Sequence, residues 1–229
     1  MATVIEARGL ARRFGARWAY AHVDLKVEEG ERILIAGANG SGKTTLLRTF
    51  ATALLPSRGE LQLFGLSPEK HRWELRRRVA MLGHHMGLYE DLSAMENLAV
   101  YGQLAGKDVP PGHLSRVGLE ERKDAVRTYS AGMRKRLAMA ILLLQDPDLV
   151  LLDEPYGQLD PAGMDQMTRL IADIRGTVVC ASHQLDRISA ICDRALLFEG
   201  GVPRWLGPAP EIGTAWNKVY AIRPEEDVA

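Results

Sequence analysis

Gly37-Ala38-Asn39-Gly40-Ser41-Gly42-Lys43-Thr44, followed by Thr45, fits the spacing G-x-x-x-x-G-K-[ST]. Glycines spaced in this way let backbone N–H groups turn inward around phosphate oxygens. A helix opening just behind them adds the positive end of its dipole. Lys43 then reaches toward the β- and γ-phosphates of a nucleotide, and the Thr44 hydroxyl is placed to ligate Mg²⁺. A glycine-rich turn that merely caps a helix is the bland competitor. The complete pattern between a buried strand and a helix favours the nucleotide site.

A second candidate lies about 110 residues further on, in Leu149-Val150-Leu151-Leu152-Asp153-Glu154-Pro155. Four apolar residues form a strand that delivers Asp153 at its C-terminal edge, where open α/β sheets place their ligands. An acid there can hold Mg²⁺ through water. Glu154 adds a second carboxylate able to polarise a water for attack on a γ-phosphate. A strand ending in two solvated acids is the plain alternative, and the phosphate loop upstream argues against it.

These residues need a scaffold, and strands and helices alternate along the chain as in a helix-covered mixed or parallel sheet. Val4–Phe14 and His22–Val27 read as antiparallel strands. Glu31–Ala36 is a continuous apolar run ending at glycine, which predicts a strand buried on both faces. A helix is predicted from Lys43 to about Leu54, stopped by Pro56. Ser93-Ala94-Met95-Glu96 is a capping box that starts a helix running to about Leu104. Residues 106–112 form a loop, helix resumes near Leu114, and Ala131–Leu144 is strongly helical. Strand Leu149–Leu152, helix Pro161–Ile174, strand Thr177–Ala181, a short helix over Gln184–Ile191 and strand Ala195–Phe198 complete the series. One composite domain over 1–229 is expected, with a core of 1–84 and 146–229 and a helical insertion over about 85–145.

Composition narrows the function. Among 229 residues, 29 Lys and Arg balance 29 Asp and Glu, so no global basic field exists to hold nucleic acid. The longest apolar run, Ala138–Leu144, falls far short of the roughly 20 residues that a spanning helix needs. Glu6 and Arg8 interrupt any secretory signal at the start. Cys180 and Cys192 form no metal or redox spacing and read as buried free thiols. A cytoplasmic protein that spans no membrane is expected. The densest basic run, Arg72 with Arg76-Arg77-Arg78, reads first as a solvated face and second as a contact for a partner or an acidic headgroup.

Tyr129-Ser130-Ala131-Gly132-Met133, set before a basic helix, narrows the reading further, together with Gly157-Gln158-Leu159-Asp160 and a lone His183 after a strand. Over essentially its whole length the sequence resembles the ATP-binding cassette ATPases. In that family a Leu-Ser-Gly-Gly-Gln motif opens a helix and binds the γ-phosphate held by the opposite subunit. Ser130 and Gly132 match it, whereas Tyr129, Ala131 and Met133 depart in a way similar to exporter-type members. The resemblance implies that Ser130, Ala131, Gly132 and Met133 act across a dimer, with Asp160 in a loop at the interface. It implies that His183 meets the γ-phosphate and that Phe14 stacks on adenine, with Trp18 as its rival and a core role for Phe14 as the alternative. The implied fold is a phosphate-loop core with a mixed or parallel sheet, an antiparallel N-terminal β-subdomain and a helical subdomain.

Where the family carries a glutamine at the entry to the helical subdomain, this chain reads Met81-Leu82-Gly83-His84-His85-Met86-Gly87. That stretch resembles the Gly-His-Gln-Pro-Gly of the haem-exporter ATPases of cytochrome c maturation, and it aligns His85 with the glutamine near the nucleotide. Glu154-Pro155-Tyr156-Gly157-Gln158-Leu159-Asp160 resembles the same subfamily. Adjacent histidines cannot easily both face one site, so haem or metal binding by His84 and His85 is not expected. The resemblance implies ATP and Mg²⁺ as ligands, a homodimer or paired ATPase subunit, and a separate integral membrane permease docked near residues 85–101. It places the chain on the cytoplasmic face of the membrane, without nucleic acid as a partner. The rival is a soluble relative acting on ribosomes or DNA, although the paired cassettes or coiled-coil insertions usual there are missing. A simple phosphate-loop kinase or GTPase is disfavoured by the Asp153–Glu154 pair and the lack of an Asn-Lys-x-Asp motif.

Overall fold

The computed structural model describes residues 2–83 and 87–220, so His85 lies outside the described residues. Strands β1 (Thr3–Phe14) and β2 (Arg17–Glu28) pair antiparallel, and β1 also pairs with β4 (Arg58–Leu63) to make a three-stranded sheet. Between them in sequence run β3 (Arg32–Gly37) and α1 (Lys43–Phe50). A short α2 (Arg72–Leu75) then leads into β5 (Val79–Leu82). Helices α3 (Ala94–Ala105), α4 (His113–Arg116) and α5 (Ala131–Gln145) follow before the chain returns as β6 (Leu149–Asp153). The remainder comprises α6 (Pro161–Ala172), β7 (Thr177–Ser182), α7 (Leu185–Ser189), β8 (Arg194–Glu199), β9 (Val202–Pro208) and α8 (Ile212–Tyr220).

The main sheet has the order β5-β6-β7-β3-β8-β9, parallel except for the antiparallel edge strand β9. Its central strands are buried on both faces, because helices cover one side while α1 and the antiparallel sheet cover the other. Leu34, Ala36, Val150, Leu152, Val178 and Cys180 point into the helical core. Ile33, Ile35, Leu149, Leu151, Val179 and Ala181 point into the second core with Leu46, Leu47 and Phe50 of α1. Such two-sided burial explains why these strands read as continuous apolar runs rather than alternating ones. The parallel register of β3 beside β7 and β8, five pairs on each side, brings the C-terminal ends of β3, β6 and β7 to one edge.

Two expectations change. Helix α1 ends at Phe50 rather than near Leu54, because Thr52 takes φ 57° and the turn is held from outside by Arg72, whose Nε donates to Thr52 O at 2.9 Å. The basic run is not simply solvated. Arg76 Nε donates to Thr52 Oγ1 at 3.3 Å, and Arg78 pairs with Asp148 at 2.6 Å while lying over the Phe64 ring. Strands β4, β5 and β9 and helices α2 and α8 carried no sequence signal strong enough to place them. Cys180 and Cys192 are free and buried as expected. Among the described residues no helix is long and apolar enough to cross a membrane.

Candidate functional site

The phosphate loop joins the buried end of β3 to the first turn of α1. Gly42 is the N-cap of α1 with φ 99°, a conformation that L side chains rarely adopt. A Cβ built there would stand 2.3 Å from the carbonyl oxygen of Ala19, so β2 presses directly on the loop. One residue further along β2, Tyr20 is fully buried and donates to Thr49 Oγ1 of α1 at 2.8 Å. Burial pushes that phenol up to about 12, so it stays a donor at any physiological pH. Helix and strand are thereby locked together beneath the loop.

Lys43 is buried, and its ammonium donates to the carbonyls of Gly37 at 2.7 Å and Ala38 at 3.1 Å. Burial lowers its pKa, while the carboxylates of Glu154 and Asp153 act in the opposite sense. Thr44 Oγ1 donates to Asp153 Oδ1 at 3.0 Å, joining residues 109 apart in sequence. Asp153 is the last residue of β6 and is buried. Phe14, Trp18, Asn39, Gly40, Ser41, Gly42, Lys43, Thr44, Thr45 and Glu154 line one open cleft of about 520 Å³, the size range of small-molecule sites. Phe14 is 51% exposed and Trp18 38% exposed at its mouth, which removes the core role for Phe14.

Glu154 follows Asp153 with φ 50°, unusual for a residue with a side chain. Its backbone N–H donates to Ala181 O at 2.9 Å, and its own carbonyl accepts from Lys135 Nζ at 2.8 Å. Its carboxylate accepts from Ser182 Oγ at 3.2 Å and lies 2.8 Å from His183 Nδ1. It also stands 4.0 Å from the Lys43 ammonium. The carboxylate is largely buried, whereas His183 is 48% exposed. With the proton on Nδ1, the imidazole donates to the acid and turns its other nitrogen toward the open side.

The donor set suits Mg²⁺ bound together with phosphates. Among the described residues no three His, Cys, Asp or Glu side chains gather as an all-protein metal cage. Thr44 and Asp153 instead offer two oxygens side by side, the arrangement used when phosphates and waters complete an octahedron.

The remaining predicted residues lie elsewhere. Ser130, Ala131, Gly132 and Met133 open α5 and are absent from the lining of the cleft. The Ser130 hydroxyl accepts from Met133 N at 3.2 Å and so caps the helix. Asp160 caps α6 by accepting from Gly163 N at 3.0 Å, and it also pairs with Arg136 Nη2 at 3.2 Å. Nothing in the motifs pointed to Ser182, Lys135 or Tyr220 as site residues. The Tyr220 hydroxyl donates to Phe198 O at 2.7 Å and accepts from Ala38 N at 3.1 Å, which ties α8 to the start of the phosphate loop. No local motif flags such contacts.

The family model described as ABC transporter matches residues 20–157. The chain belongs to the ABC transporter family and is an ATP-binding, ATP-hydrolysing subunit of it. The cytochrome c biogenesis ATP-binding export protein of Xanthomonas axonopodis pv. citri is 43% identical over 179 residues, which is 76% of this chain and 82% of that protein. The bacitracin transport ATP-binding protein of Bacillus licheniformis is 33% identical over 209 residues, covering 88% of this chain and 68% of that protein. Among solved structures, an ATP-binding subunit of an ABC transporter superposes with TM-score 0.84 at 23% identity over 94% of both chains. A bacterial ABC transporter cassette solved as a dimer superposes at 0.79 and 24% identity, covering 90% of this chain and 98% of that one. These superpositions show that the neighbours share the fold of this chain.

Proposed function

We propose that the chain powers a separate integral membrane permease from the cytoplasmic face, working as a head-to-tail dimer or beside a paired ATPase subunit. Each nucleotide then lies between one subunit's phosphate loop and the Ser130–Met133 segment of the other. The observation that carries this reading is Glu154, whose carboxylate is held by Ser182 and His183 and faces Lys43 across 4.0 Å. A carboxylate fixed in this way accepts a proton from a water aimed at the γ-phosphate. His183 orients the acid through Nδ1 and leaves its second nitrogen on the open side for the γ-phosphate. Lys43 and the loop N–H groups neutralise phosphate charge, and Thr44 and Asp153 would hold Mg²⁺, which would supply further positive charge to the phosphates. The exposed ring of Phe14 provides a stacking platform for adenine. The siting of Ser130, Gly132 and Asp160 away from their own cleft supports a role on the partner's nucleotide.

The Glu154→Gln variant tests this. It is expected to bind ATP normally, to lose at least about 100-fold in turnover, and to accumulate as a dimer in sedimentation with Mg·ATP. Near-native turnover in that variant would remove Glu154 from the role. For the cargo, the 43% identity to the cytochrome c biogenesis relative favours haem export, alongside the Gly83–Gly87 and Glu154–Asp160 stretches. Deleting the gene in its host should then abolish mature c-type cytochromes. Normal cytochromes with altered drug or peptide tolerance would favour the bacitracin-type relatives instead.

A further inference from the structure

We infer that Lys135 is a positioning residue for Glu154, holding the backbone of the acid through the helix that opens at Ser130. The inference rests on Glu154 being the hydrolytic acid. Glu154 sits at φ 50°, and a residue with a side chain persists there only where its surroundings over-determine it. Its N–H is anchored to Ala181 O at 2.9 Å on β7. Its carbonyl accepts from Gly157 N at 3.2 Å and from Lys135 Nζ at 2.8 Å. Lys135 is the one side chain in that set, and a charged donor makes the stronger bond.

Lys135 is only 8% exposed, although it lies in a basic stretch, Arg134-Lys135-Arg136, at the start of a helix. Burying an ammonium is unfavourable unless it is paired. Here the Glu154 carbonyl, with the nearby Glu154 and Asp153 carboxylates, supplies the compensation, while burial itself lowers the pKa of the lysine. The next residue, Arg136, reaches Asp160 at 3.2 Å and Gly118 O at 3.2 Å. Two successive side chains of α5 therefore grip the two ends of the segment 154–160. Loss of the lysine bond leaves the Glu154 carbonyl held by Gly157 N alone, at 3.2 Å, and lets the acid rotate away from its water. The aliphatic packing beneath is left in place.

Lys135→Met keeps the stem and removes both donor and charge; Lys135→Arg restores a charged donor. Steady-state ATPase assays should show kcat at least about tenfold lower for Met, with KM for ATP within about twofold, and recovery to within about threefold for Arg. In a Glu154→Gln background, measured by single turnover, the Met substitution should add less than about twofold, because the group it positions is already gone. Native kcat in Lys135→Met would overturn the inference, as would a loss of the same size in the Glu154→Gln background. Should the Met variant not fold, Lys135→Gln enters the same cycle. Its shorter amide is expected to lower kcat by about threefold or more, and either no loss or a loss persisting beside Glu154→Gln counts against Lys135. Failure of the underlying reading is separate, since it shows as an active Glu154→Gln variant.

Discussion

Gly42→Ala perturbs the phosphate loop at a point where two costs can be told apart. The first is conformational. At φ 99° an alanine is strained, and replacing glycine at positive φ costs about 1–2 kcal/mol. The second is the 2.3 Å approach of the new Cβ to Ala19 O, about 0.7 Å inside the 3.0 Å that real Cβ atoms keep. The partner is a backbone carbonyl of β2, pinned by the Tyr20–Thr49 bond, so it cannot swing aside as a side-chain tip would. Overpacking of this kind adds about 1–3 kcal/mol or displaces the loop by a comparable fraction of an ångström. Gly30→Ala is the control. Its φ of 78° imposes a similar conformational cost, but nothing lies within 4 Å of its Cβ. Thermal melts should therefore show Tm lower by roughly 2–8 °C for Gly30→Ala, at about 2–4 °C per kcal/mol in a chain of this size. Gly42→Ala should fall further, or else lose its loop geometry at little thermal cost. Nucleotide titration separates the two, because Gly42→Ala should weaken ATP binding at least about tenfold and Gly30→Ala should leave it unchanged. Equal Tm and equal ATP affinity in the two variants would refute the close approach of β2 as a constraint on the loop.

Tyr220→Phe removes the hydroxyl bridging Ala38 N and Phe198 O while keeping the ring against Trp216. Faster hydrogen exchange at the Ala38 amide is expected, with ATP affinity about two- to tenfold weaker from bonds of about 0.5–1.5 kcal/mol each; an unchanged exchange rate refutes the tie. Ser130→Arg should abolish turnover yet leave ATP binding by the isolated subunit intact, with about 1 kcal/mol of stability lost with the helix cap. Loss of binding in the isolated subunit would show that the head-to-tail arrangement is wrong. If His85 stands in for a glutamine near Mg²⁺, a neutral imidazole accepts a hydrogen bond there, whereas an imidazolium accepts none and repels the metal. With an ordinary imidazole pKa near 6.5, activity should fall more steeply on acidification in the native chain than in His85→Gln. Superimposable pH–rate profiles would discard the substitution idea.

The sequence alone determined the features that depend on a few neighbouring residues. The phosphate loop, the strand ending in Asp153 and Glu154, and the capping box at Ser93 each compress their physics into four to eight consecutive positions. Burial on both faces makes β3, β6 and β7 readable as unbroken apolar runs. By contrast, β4 offers only Leu61 and Leu63 among polar residues, and β9 carries two prolines on an edge, so neither presents an unbroken apolar run. Only the tertiary structure decided which polar groups meet. Thr44 finds Asp153 across 109 residues, and Ala38 finds Tyr220 across 182. Lys135 stands in a basic stretch with no local mark of burial, and packing against the 154–160 segment buries it. Phe14 could stack on a base or fill the core as far as its sequence goes, and the end of β1 leaves it exposed at the mouth of the cleft. Chain order fixes local conformation through sterics and periodicity. The partners of a buried charge are set by sheet order and helix packing, which no short stretch of sequence encodes.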